Sequence, residues 1–136
     1  MIAMDLNEIK SIAGNDMLKI IFEMQRRLQG KMPVATNGIE NMSDADKQNF
    51  INQMYIALQV ELGEAIQETQ WKNPKLVKFG WKQTQELNLM KYKEELVDAL
   101  HFFVNLCLVF GITAEELYKG YLQKNKVNAN RQRDGY

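Results

Sequence analysis

Apolar residues in this chain recur at three- and four-residue spacing and almost never alternate, so the pattern is helical throughout. Leu18, Ile21, Phe22 and Leu28 form one stripe with Gln25 as its polar exception. They predict a helix from about Asp16 to Gln29, begun by Gly14-Asn15-Asp16 and ended by Gly30. Lys31 to Met42, with Pro33 and Asn37-Gly38, reads as a loop. Ser43-Asp44-Ala45-Asp46 is an N-terminal cap for a second helix reaching about Thr69. Trp71 leads into Lys72–Asn88, where Pro74, Gly80, Trp81 and several lysines read as a connection. A third helix, about Met90 to Phe110, is apolar around most of its circumference and is expected to be central, with Gly111 ending it. Thr113-Ala114-Glu115-Glu116 is a capping box opening a fourth helix to about Asn128. The expected fold is all-α, a bundle of four to five helices in one domain over residues 1–136, with 1–14 and 130–136 peripheral.

A net charge of zero removes any general electrostatic case for nucleic acid or an anionic membrane, so neither is an expected partner. An anion site has to come from local placement of charge. The single cysteine, Cys107, excludes an internal disulfide and sits between Leu106 and Leu108, as a core thiol does. The first residues carry no signal-peptide pattern, and the longest apolar run, Phe102 to Ile112, is too short for a membrane span. A cytoplasmic location is expected.

Candidate chemistry begins with two carboxylate pairs, Glu61-Leu-Gly-Glu64 and Glu95-Leu-Val-Asp98, inside the two most apolar helical stretches. Spacing of i, i+3 puts both groups of a pair on one helix face. Carboxylates on apolar helices are costly unless paired, protonated or bound to metal, and four meeting across a helix contact repel. A hard divalent cation relieves that repulsion: Mg²⁺, with Mn²⁺ as a possible substitute, and not zinc, because the set is all oxygen apart from one imidazole. Gly63 within the first pair costs about 1 kcal/mol relative to alanine and suggests close approach of a neighbouring group. A solvated acidic face or a salt-bridge network is the plainer alternative, although no lysine or arginine on these helices obviously faces inward.

Further along, Lys124, Asn128 and Arg131 fall at i, i+4, i+7, donors suited to a polyphosphate if the helix continues that far. A merely solvated basic tail is the alternative. Trp71, Trp81, Phe79 and Phe102 could wall a base or simply fill a core. Gln25 could read a base edge or satisfy buried backbone, and His101, the only histidine, lies beside the Glu95/Asp98 stripe.

Taken in order, ELGEA, EELVDALHFF and YLQKNKVNANRQRDGY resemble the all-α dimeric-type dUTP pyrophosphatases of the MazG-like nucleoside triphosphate pyrophosphohydrolase superfamily, over about Phe22 to Tyr136. The resemblance implies that Glu61, Glu64, Glu95 and Asp98 hold Mg²⁺. It implies that Lys124, Asn125, Asn128 and Arg131 contact phosphates with Tyr121 nearby. Gln25, Trp71 or Trp81, His101 and Phe102 are then placed around base and sugar. The chain departs from the family in being shorter than typical members and in carrying Val60 where many relatives have an acid.

The expected function is hydrolysis of dUTP to dUMP and pyrophosphate by in-line attack of water at phosphorus, with Glu61 or Glu64 orienting or deprotonating that water. The same chemistry on dCTP or a purine dNTP is the near alternative, and a non-catalytic helical adaptor the remote one. A short helical chain of this kind is expected to assemble as a homodimer or homotetramer.

Overall fold

A computed structural model of the protein describes residues 5–30, 41–72 and 88–135. Those residues form five α-helices and no strand: α1 Leu6–Ala13, α2 Met17–Gln29, α3 Asp44–Gln67, α4 Leu89–Leu108 and α5 Ala114–Arg133. They fall into two compact units, Met1–Met42 with Cys107–Tyr136, and Ser43–Leu106.

In the first unit, α2 packs against both α1 and α5. The expected start of α2 is found: Asp16 accepts from the Lys19 backbone N–H at 3.0 Å. Preceding it is α1, which the sequence pattern did not predict, because LNEIKSIA is too short for a periodic stripe to show. Its existence depends on Ile9, which is completely buried, and on Glu8, which reaches Arg27 of α2 at 3.1 Å. Gly14 separates the two helices at φ 66°, a left-handed turn that only glycine adopts without strain. Glu23 accepts from Arg26 and from Arg27, each at 2.8 Å, and Arg26 foremost, then Arg27, holds its carboxyl below the usual range. The result is a chain of charges Arg26–Glu23–Arg27–Glu8 that ties α1 to α2. Phe22, Cys107, Val109 and Ala114 are buried in this unit, and so are Gln25 and Gln29.

The expected capping box of α5 is present: Thr113 Oγ1 accepts from the Glu116 N–H at 3.1 Å, and Glu116 accepts from the Thr113 N–H at 2.8 Å. Gly111, at φ 69°, closes α4 with Ile112 N–H bonded back to the Cys107 carbonyl at 3.0 Å. Helix α5 runs to Arg133, past the expected end near Asn128, and Arg131 and Arg133 in its last turn suit the negative end of the helix dipole.

In the second unit, Ser43 caps α3 as expected, accepting from the Asp46 N–H at 3.2 Å. Phe50, Ala65, Ala99, Val104 and Asn105 are buried. Asn105 of α4 donates from Nδ2 to Met54 Sδ of α3 at 3.3 Å, so the two helices touch two turns beyond the carboxylates. Two expectations change here. Helix α4 is not covered all round, since Leu96, Val97, Leu100 and Phe103 are each more than a third exposed; composition shows that a face is apolar, not what covers it. Gly63 is not closely approached: a Cβ there would meet open space. The expected loop and connection, residues 31–40 and 73–87, lie outside the described residues.

Replacing Ile9 with alanine is expected to lower stability by about 2–5 kcal/mol, the usual cost of emptying a buried isoleucine site. Urea unfolding followed by circular dichroism measures it, and a change within error would mean that α1 is not docked.

Candidate metal and nucleotide site

Glu61 projects from the C-terminal third of α3, and Glu95 and Asp98 from the second and third turns of α4. Ligand oxygens of these three residues lie within 4.8 Å of one another. Glu61 and Glu95 are partly buried and Asp98 is exposed, so one side of the cluster opens to solvent. Opposite oxygens around a hard cation are about 4.2 Å apart, twice a metal–oxygen distance of about 2.1 Å, so small side-chain rotations bring all three onto one ion. The donors are all carboxylates, which suits an oxygen-seeking divalent cation.

Electrostatics carry the mark of that crowding. Burial foremost, then a hydrogen bond with Glu61, then the charges of Glu64, Glu61 and Asp98, push the Glu95 carboxyl above the ordinary range. Glu95 is therefore the member of the cluster on which burial and the neighbouring acids act together. Glu64, one turn after Glu61, is exposed and adds its charge to the cluster without joining the three converging groups.

The other candidates fall in different places. Lys124, Asn128 and Arg131 do share one face, because α5 is helical over that whole stretch. Tyr121 and Asn125 flank them, and all five are exposed in the first unit. Gln25 is also in the first unit, on α2 and 5 % exposed. Phe102 is partly buried on α4. His101 is exposed and outside the core, with its Nδ1–H donating to the Val97 carbonyl at 2.8 Å, which leaves Nε2 as the open nitrogen. Trp71 is exposed just beyond α3, with the Lys72 ammonium 5.1 Å from its ring centre. Trp81 and Phe79 lie outside the described residues. Sequence reasoning passed over Gln29, which is as deeply buried as Gln25. The signal was available: it stands four residues after Gln25 on the same stripe.

Comparison with known proteins now adds to this geometry. The family model described as dUTPase matches residues 17–109 and 103–136. This chain belongs to the dUTPase family. It is similar to the dCTP pyrophosphatase of Enterobacteria phage T4, 29% identical over 96% of this chain and 90% of that protein. It is likewise similar to the dCTP pyrophosphatase of Enterobacteria phage LZ5, 28% identical over 89% of this chain and 83% of the relative. A DNA replication protein of phage T4 is 28% identical over 88% of this chain, which spans only 36% of that protein. No solved structure matches significantly. As a dUTPase-family member the chain is an enzyme, a hydrolase acting on a nucleoside triphosphate. No helix among the described residues is long and apolar enough to cross a membrane.

The raised Glu95 carboxyl sets the sign of a pH effect. Folded Glu95 keeps its proton at a pH where the unfolded chain has released it, so its contribution to stability is full below the unfolded pKa and is lost as pH rises through the folded one. In metal-free protein, Glu95→Gln should therefore raise the melting temperature at neutral pH and flatten that part of the pH dependence. It should also shrink the rise in melting temperature produced by Mg²⁺ or Mn²⁺. A variant melting below wild type without metal would count against the repulsive cluster.

Proposed function

We propose that this dUTPase-family enzyme is a Mg²⁺-dependent pyrophosphohydrolase of pyrimidine deoxynucleoside triphosphates, converting dUTP and water to dUMP and pyrophosphate. The observation carrying the metal part is the convergence of Glu61, Glu95 and Asp98, with the Glu95 carboxyl pushed upward by burial and by its acidic neighbours. Hydrolysis of dCTP is the second reading, supported by the phage relatives whose names specify dCTP.

Glu61, Glu64, Glu95 and Asp98 would hold the ion, with Mn²⁺ able to substitute. When bound, it supplies charge neutralisation for the triphosphate and acidity for the attacking water. Glu61 or Glu64 orients that water in line with the scissile P–O bond and takes up its proton. The exposed face of α5 supplies Lys124, Asn125, Asn128, Arg131 and Tyr121 as donors for the phosphate oxygens and the departing pyrophosphate. Gln25, Trp71 or Trp81, His101 and Phe102 are assigned to base and sugar. His101 would use Nε2 as the acceptor, since its Nδ1–H is taken by Val97.

The active form is proposed to be a cytoplasmic homodimer or homotetramer, each chain one catalytic domain, with neither nucleic acid nor membrane as partner. Support for assembly comes from apolar residues left open on both helices of the second unit. Ile56, Val60 and Ile66 of α3 and Val97 and Phe103 of α4 are 40–65% exposed.

A panel of dNTPs with Mg²⁺, read by pyrophosphate release, tests the assignment, with dUTP expected to be turned over fastest. A clear preference for dCTP would replace the first reading by the second, and purine turnover alone would sink both. Glu61→Gln and Asp98→Asn are each expected to lower kcat on the order of 10²–10⁴-fold without unfolding the metal-free protein. Unfolding of both would instead mean that these carboxylates have a structural role.

A further inference from the structure

Among the described residues of the second unit, Asn105 is the polar side chain that is buried, 1 % exposed and next to the fully buried Val104. Its Nδ2–H donates across to Met54 Sδ of α3 at 3.3 Å, and that contact is not its only interaction. Glu61 follows Met54 by seven residues on α3, and Asp98 precedes Asn105 by seven on α4. Seven residues are about 10.5 Å of helix and fall within about 20° of two full turns. Met54 and Glu61 therefore share one face of α3, and Asn105 and Asp98 share one face of α4, at matched spacing. Contact of Met54 with Asn105 and of Glu61 with the Glu95/Asp98 pair means that the two helices run antiparallel.

Apolar contact is non-directional, so the buried apolar residues of this unit leave the helices free to slide. A buried amide does not, because sliding takes its partner away and leaves a polar group unsatisfied. Buried polar side chains at helix interfaces set register in this way. A slide of α4 along α3 by one turn, about 5.4 Å, brings equivalent faces together again. It also exceeds the 4.8 Å within which the oxygens of Glu61, Glu95 and Asp98 converge. Repulsion among those acids favours such a displacement. We propose that Asn105 is a positioning residue whose buried contact with Met54 holds α3 and α4 in the register at which the three carboxylates share one divalent cation. The proposal rests on the metal-site reading above and deepens it by adding a residue that itself touches neither ion nor nucleotide.

The test uses the full chain without nucleotide and measures Mn²⁺ affinity, from the electron paramagnetic resonance of the free ion, and metal-free melting temperature. Asn105→Leu keeps the volume and removes the amide; Met54→Leu keeps the volume and removes the sulfur acceptor. Asn105→Leu should stay folded and bind Mn²⁺ about tenfold more weakly or worse, the scale on which groups that orient metal ligands act. Met54→Leu should lose affinity in the same direction, and the double variant should bind no more weakly than Asn105→Leu, because both changes remove one contact. Val104→Ala, which empties buried space beside Asn105, should lower the melting temperature and leave Mn²⁺ affinity at the wild-type value. Wild-type affinity in Asn105→Leu, or additive losses in the double variant, would overturn the proposal. An equal loss of affinity in Val104→Ala would also overturn it, by making general packing responsible. If Asn105→Leu does not fold, Met54→Leu decides by itself, with weakened Mn²⁺ binding supporting the register role and wild-type binding ending it. Absence of Mn²⁺ binding by the wild-type chain would overturn the proposal together with the metal site on which it rests.

Discussion

Repulsion among carboxylates held together by two helices is the constraint on which the second unit depends. Glu61 on α3 and Glu95 and Asp98 on α4 are attached to rigid backbone, so they cannot separate without moving the helices. The two helices also meet at the Asn105–Met54 contact, and Phe50, Ala65, Ala99 and Val104 are buried in the same unit. Apolar burial therefore works against like-charge repulsion, and the conflict shows in the Glu95 carboxyl, which burial and its acidic neighbours push above the ordinary range. A bound cation relieves it. Such a site is destabilising when empty, a trade that functional sites commonly make.

The first unit solves a different electrostatic problem. Its cluster, Arg26–Glu23–Arg27–Glu8, alternates in sign and is satisfied internally, and the Glu23 carboxyl shifts downward where Glu95 shifts upward. The contrast separates structural from functional charge within one small chain. Oppositely charged groups brace α1 against α2, whereas like charges converge on α3 and α4.

Helix α5 shows how one element can serve two physical roles. Its first turns are anchored by a complete capping box and by Ala114, buried at its start. From Lys119 to Arg133 it carries five cations and no acid, and every residue there is exposed. Packing does not explain the choice of residues in that stretch. Under the proposed function this stretch is the part of α5 offered to the phosphates.

Much of this was legible in the residues themselves, because local rules act over three or four positions. Caps at Asp16, Ser43 and Thr113, the left-handed stop at Gly111 and the i, i+3 carboxylate pairs are all short-range statements, and the structure keeps each of them. Family membership was legible for the same reason, since the motifs are short strings. Helix α1 was not, because eight residues are stabilised by Ile9 burial and a reach to Arg27, neither of which is local. Nor was the division of labour among the four acids. Sequence spacing makes Glu61 and Glu64 equivalent, yet the packing of α3 on α4 brings only Glu61 into the cluster with Glu95 and Asp98. The sequence by itself determined helices α2 to α5, the caps of α2, α3 and α5 and the residue types on each face. Tertiary structure alone decided which carboxylates converge and which one is pushed upward by burial and its neighbours, because those depend on distances between residues far apart in the chain.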